Sequence, residues 1–242
     1  MTNRELGSTK RTGRPRNSGR NSANPREEIL KEASRLFTAQ GVAATTISQI
    51  AECVGLRQSS MYYYYKSKEE ILSALMEKNR ESLTLAEKLL EEDGPAAPRL
   101  YAFLYTDVRQ LCTAPLDFYE LEVAALAQPQ VFAGFEEDGD KLRDAAAHLL
   151  QLGVASGELR QTDPAATALM LLSLNEGAQH RLWHGRRDDE KASASSDASD
   201  ALAESVADYH LSSLLADASS LAAVRELGRA FVTEYEDDEP AA

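Results

Sequence analysis

The sequence predicts an all-α protein: an N-terminal three-helix helix-turn-helix unit followed by a larger helical body. Three observations predict it. Apolar residues recur at helical spacing from Ile29 almost to the end of the chain, with no convincing strand alternation. Three short amphipathic segments, separated by Gly41 and Gly55, fit within residues 26–70. Helix start and stop signals punctuate the rest, and 242 residues are enough to bury a real core.

Residues 1–25 are Arg, Asn, Ser, Gly and Thr with almost nothing apolar, and read as a disordered basic arm. In the first helix Ile29, Ala33, Leu36 and Phe37 share a face, and Gly41 is a C-terminal stop signal. Thr46 with Gln49 forms a capping box for the second helix. Its inward face is Ile47, Ile50, Ala51 and Val54, and Gly55 makes the turn. The third helix, from about Arg57 to Tyr63, carries polar and aromatic residues. Ser67 with Glu70 is a second capping box, predicted to open one long helix to about Glu92, where Gly94-Pro95 breaks it. Further helices are expected near 96–113, 116–128, 136–156, 163–184, 201–217 and 219–235. Asp163-Pro164 is a good start for the fourth of these, with proline in the first helical position. Residues 186–200 are low-complexity and read as a loop. The expected organisation is an arm (1–25), a head (26–70), a body (71–236) and an acidic tail (237–242).

The formal net charge is −13, but it is unevenly divided. Residues 1–68 hold twelve Lys/Arg against five acids, a net +7, which leaves −20 for the remaining 174 residues. Such asymmetry points to nucleic-acid contact by one end, and an acidic body would repel phosphate. No apolar run approaches the ~20 residues of a membrane span. No secretory apolar region follows Met1, so a cytoplasmic location is expected. Cys53 and Cys112 lie far apart without metal-ligand spacing and read as buried free thiols. The chain carries no Gly-rich phosphate loop, no nucleophile elbow and no clear acid–base pair. Neither an enzyme nor a bound cofactor is expected.

In the head, Phe37, Gly41, Thr45-Thr46-Ile47, Ile50-Ala51, Gly55-Leu56, Met61-Tyr62-Tyr63-Tyr64-Tyr65 and Lys68-Glu69 stand at characteristic spacings over about 45 residues. This stretch resembles the tetracycline-repressor (TetR) family of one-component regulators. Two positions depart from the family pattern. Arg57 stands where a small capping residue is usual, and a guanidinium cannot accept a backbone N–H. Tyr65 replaces the usual Phe, and its hydroxyl needs a partner or a route to solvent. The body fits the family in length and helix count but carries no motif of its own.

The resemblance implies that the head is a DNA-binding domain and that the body binds a small-molecule effector and dimerises. The third helix would lie in the major groove, with Arg57 and Gln58 reaching base edges and Ser59 and Ser60 allowing close approach. Tyr62, Tyr63, Thr46, Ser48 and Lys68 would contact phosphate. The plain alternatives are aromatic packing for the tyrosines, favoured for Tyr65, and a solvated surface charge for Arg57. Arg14 and Arg16, flanking Pro15, read equally as a minor-groove arm or as a basic tail adding nonspecific affinity. The family also implies a pocket in the body. Tyr101, Tyr105, Phe118 and Trp183 are candidate aromatic lining residues. Glu122, Asn175 and Gln179 are candidate polar ones, each inside an otherwise apolar helix, although a surface position is the simpler reading for any one of them. Glu176, His180 and His184 share a helix face, but three residues spanning two turns seldom converge on a metal, and no metal is expected. The helices near 163–184 and 201–217 are the expected homodimer interface, with Leu202, Val206, Leu211, Leu214 and Leu215 as an apolar face. The implied function is a repressor that binds a palindromic operator as a dimer and is released by a ligand. The alternative is a ligand-responsive protein that activates transcription or acts through a protein partner.

Overall fold

The computed structural model describes residues 24–77, 80–114, 117–187 and 196–238, with the backbone alone at 120, 183–187 and 196. Arg14 and Arg16 lie outside the described residues, as do the side chains of Trp183 and His184. Among the described residues the protein is all-helical, with a single isolated β-bridge between Leu159 and Leu215.

The head is α1 (Pro25–Gln40), α2 (Ile47–Cys53), α3 (Gln58–Tyr64) and α4 (Lys68–Glu77). Asn24 caps α1, with Pro25 in its first turn, and Gly41 ends it at φ 82°. The Thr46/Gln49 capping box forms as expected. Gly55, at φ 69°, turns the chain between α2 and α3, where Leu56 N–H reaches back to Ala51 O at 2.8 Å. Arg57 is the N-cap of α3 and gives it no side-chain bond, so α3 starts uncapped. Ile29, Phe37, Ile50, Met61, Ile71 and Leu72 form the head core. Tyr65 packs into it, with the Arg26 guanidinium 5.1 Å from its ring centroid.

The body is α5 (Glu81–Glu91), α6 (Ala96–Thr113), α7 (Phe118–Ala127), α8 (Ala133–Ser156), α9 (Pro164–Arg187), α10 (Ser196–Leu214), a 3-10 turn (Ala218–Ser220) and α11 (Leu221–Asp238). Helix α6 is its axis: every residue except Arg109 and Thr113 is buried, and α5, α8, α9, α10 and α11 pack around it. Its first amides are capped from a distance. The Glu158 carboxylate accepts from Ala96 N at 3.0 Å and Ala97 N at 2.9 Å. Burial pushes that carboxyl up, but these amides, the Ser156 hydroxyl and Arg99 outweigh it and hold it below the usual range.

Three expectations are corrected. The long helix to Glu92 is two helices, α4 and α5. The break is set by tertiary partners: Ser82 N, an orphan amide in the first turn of α5, donates to the Gln110 side chain of α6 at 2.6 Å. The Arg80 guanidinium pairs with Asp138 of α8 at 2.6 Å. The expected loop at 186–200 is helical at both ends, because α9 runs to Arg187 and α10 already starts at Ser196. Asp197 favours that helix start electrostatically, and Asp200 accepts the Tyr105 hydroxyl at 2.8 Å. Cys112 is buried as expected, but Cys53 is exposed at the outer end of α2.

Candidate functional site

The exposed side of the head is a strip along α3. Met61 is fully buried and fixes the helix, while Arg57, Gln58 and Ser59 face solvent and Ser60 is half-buried. Tyr62 is 48% exposed and Tyr63 84%, so simple core packing does not account for either ring. Tyr64 meets the Tyr63 ring edge-on at 5.2 Å. Thr46 and Ser48 are exposed at the start of α2, although the Thr46 hydroxyl is already engaged in the capping box. Lys68 has partners within the head. Its ammonium donates to Val42 O at 2.7 Å and Thr45 O at 3.2 Å, which ties the start of α4 to the loop entering α2. Two of its three N–H groups are thus engaged within the head.

The second feature is a cavity of about 830 Å³ between head and body. That size suits a small-molecule site. Its walls come from α4 (Ser73, Met76, Glu77), α6 (Asp107, Gln110, Leu111), α7 (Phe118, Leu121, Glu122, Ala125), the first half of α8, and α9 (Leu172, Glu176). Of the candidate lining residues, Phe118 and Glu122 face it. Tyr101 and Tyr105 do not; both are fully buried in the body core, and the Tyr105 ring carries the Arg229 guanidinium 4.0 Å from its centroid. Asn175 and Gln179 stand one layer back. Gln179 Oε1 accepts from Phe118 N at 3.3 Å and helps hold the start of α7.

Asn175 bridges two buried groups. Its amide N donates to Asp107 Oδ2 at 2.8 Å, and its amide O lies 3.0 Å from His210 Nε2. Since an ionised Asp107 can only accept, the amide orientation is fixed and His210 must donate. Burial lowers the His210 imidazole to about 4, so it is neutral, and burial raises Asp107 to about 6 against the Asn175 and Ser82 hydrogen bonds. Glu176 is raised to about 7, by burial first and then by Glu122 and Asp107.

Of the Glu176, His180 and His184 grouping, the His184 side chain lies outside the described residues, and the other two have different surroundings. Glu176 faces the cavity, while His180 Nδ1 lies 2.9 Å from Asp117 Oδ2, beside the N-cap of α7. Asp107 was missed by sequence reading. It is the lone acid of a helix that is apolar from Leu100 to Tyr105, which is the same kind of signal that singled out Glu122 and Asn175.

The sequence profile of the bacterial regulatory proteins of the tetR family matches residues 29–75, which is α1 to α4. Beyond the head, an HTH-type transcriptional regulator of Bacillus subtilis, YfiR, is 30% identical over 197 residues, covering 78% of this chain and 92% of that protein. The chain belongs to the tetR family of bacterial regulatory proteins. The crystal structure of Mycobacterium smegmatis AmtR is 31% identical, with a TM-score of 0.63 over 85% of this chain and 94% of that one. The transcriptional repressor KstR2 of Mycolicibacterium smegmatis is 26% identical over 141 residues, 57% of this chain and 69% of that protein. As a tetR-family member the protein is a DNA-binding transcriptional regulator, and the exposed strip of α3 lies within the matched region.

Proposed function

We propose that the protein is a dimeric repressor that binds a palindromic operator through α3 and leaves it when a small molecule enters the cavity. The observation that carries this reading is the double position of α4. Its first residue, Lys68, holds the loop into α2, and Ser73, Met76 and Glu77 in its second half form part of the cavity wall. An occupant that moves α4 moves the reading head. To turn the operator from mostly bound to mostly free, it must discriminate between the two states by about 10⁴, or ~5.5 kcal/mol.

On this reading Arg57 and Gln58 reach base edges, Ser59 and Ser60 allow close approach, and Tyr62, Tyr63, Thr46 and Ser48 hold phosphates. The body partners a second copy. The expected face of α10 serves another purpose, since Val206, Leu211, Leu214 and Leu215 are buried in the chain's own core and Leu202 packs against it. The face left open is the other side of α9 and α10, with Leu169 (57% exposed), Met170 (63%) and Tyr209 (65%) among small residues. On this reading the two heads of the pair meet half-sites that lie one helical turn, about 34–36 Å, or a multiple of it apart. We read the protein as a binding protein acting in the cytoplasm, without catalysis. No helix among the described residues is long and apolar enough to cross a membrane.

The test is anisotropy titration of the full chain against duplex from upstream of its own gene, across a salt series, with a scrambled duplex as control. Competitor-resistant binding with two-fold footprint symmetry is expected. Equal, steeply salt-dependent affinity for both duplexes overturns the operator reading.

A further inference from the structure

We propose that the cavity selects an organic cation: a primary or substituted ammonium carried on an apolar body. The inference rests on reading this cavity as the effector site, and it adds the chemical class of the occupant.

Charge is sorted by depth. Eight carboxylates line the cavity against three basic groups, Arg80, Lys141 and Arg143. All three basic groups are exposed, and two are already neutralised on α8, where Arg80 pairs with Asp138 and Arg143 with Asp140. The inner carboxylates are not neutralised in this way. Asp107 is buried, and among the described residues its hydrogen bonds come from the neutral Asn175 and Ser82. Glu122 and Glu176 are half-buried, from facing helices, and no cation pairs with either among the described residues. They lie close enough that Glu122 and Asp107 add to the upward push of burial on Glu176, with the exposed Arg143 as the opposing charge among the described residues.

Withdrawn carboxylates without counter-charges are costly, and either protons or a bound cation relieve them. Among the described residues no three carboxylates or imidazoles are arranged to hold a metal ion, and a cavity of about 830 Å³ has room for an organic cation. The remaining wall agrees. Phe118 and Phe135 stand with ring centroids 5.7 Å apart, which offers aromatic faces to an alkylammonium, and Leu111, Leu121 and Leu172 supply apolar surface for its body.

The test uses three probes with one six-carbon chain and three head charges: hexylammonium, 1-hexanol and hexanoate. Each is titrated calorimetrically into the full-length protein, and into E122Q, E176Q and the double variant. Hexylammonium should bind at least about tenfold more tightly than 1-hexanol, with hexanoate weakest, and the double variant should bring the first two within about twofold. The glutamine variants relieve repulsion, so melting temperatures no lower than that of the parent confirm that they are folded. Tighter binding of 1-hexanol or hexanoate, a cation preference that survives in the folded double variant, or no saturable hexylammonium binding at millimolar concentration overturns the inference. The two readings fail differently. Saturable binding of 1-hexanol or hexanoate alone keeps the effector cavity and removes the cation. Hexylammonium binding that leaves operator occupancy unchanged keeps the cation site and removes its effector role.

Discussion

Asn175 illustrates how one buried side chain ties a cavity wall to a distant helix. Its amide satisfies Asp107 of α6 on one side and His210 of α10 on the other, all three within the core. Replacing Asn175 with Leu leaves two buried polar groups without that partner, at about 1–3 kcal/mol each. We expect a total loss of about 3 kcal/mol in urea denaturation; a change below about 1 kcal/mol would mean that water or relaxation replaces the bridge. Glu176 gives a second residue-scale prediction, with a definite sign. Its folded pKa, about 7, lies above its ordinary 4.5, so the folded state holds the extra proton between those values. Its contribution to stability is therefore lost as pH rises from 4.5 through 7. Glu176→Gln removes that loss. The variant should be more stable than the parent at pH 8, with the gap closing as pH falls to 5. A gap independent of pH, followed by denaturation at several pH values, would show that Glu176 does not titrate in this window.

At the scale of elements, the head is held at its corner by Lys68, which joins the start of α4 to the carbonyls of Val42 and Thr45. A phosphate-binding lysine and a positioning lysine both matter for operator binding, but salt separates them. Loss of a phosphate contact reduces the slope of log affinity against log salt by about 1, whereas loss of a staple weakens binding at every salt concentration alike. We expect Lys68→Met to lower operator affinity with an unchanged slope and to destabilise the head by about 1.5–3 kcal/mol, as for hydrogen bonds to a charged group. A slope reduced by one, with stability intact, would return Lys68 to the phosphate. The same comparison shows what was legible in the chain. The stop of α1 and the starts of α2 and α9 were readable because each is set within a few residues: Gly41, Thr46 with Gln49, and Asp163-Pro164. The break between α4 and α5 was not. Met76 and Glu77 continue a helical pattern without a local stop, and the amide that opens α5 is satisfied by Gln110, far along the chain. The exposed strip of α3 was legible for the same local reason. The cavity wall was only half legible, because apolar periodicity marks Tyr101 and Phe118 alike, and only packing decides that one is sealed beneath α11 and the other faces the void.

For the whole molecule, the proposed function requires the body to act on the head at a distance from the operator. The core of the head does not end with the head. Leu121 and Ala125 of α7 and Phe132, just before α8, are buried in the same cluster as Ile50 and Met61, and both α7 residues also line the cavity. The Ser73 hydroxyl of α4 approaches Val131 O at 3.4 Å beside them. The body core around α6 is a separate cluster. The two units therefore meet through a small set of side chains, and the stability of the head should depend on a phenylalanine that is remote from it in sequence. Phe132→Ala removes a fully buried ring, a change that typically costs about 3–5 kcal/mol. That loss should fall unevenly, because local opening is governed by the cluster a residue belongs to. Hydrogen exchange at the buried amides of Ile50 and Met61 should accelerate strongly, while the amides of Leu104 in α6 and Val232 in α11 keep nearly their parental rates. Equal acceleration in both sets would mean one cooperative unit, with no separate head to be moved. Acceleration confined to α7 and α8 would mean that the head stands on its own core, and the route from cavity to DNA would then rest on α4 alone.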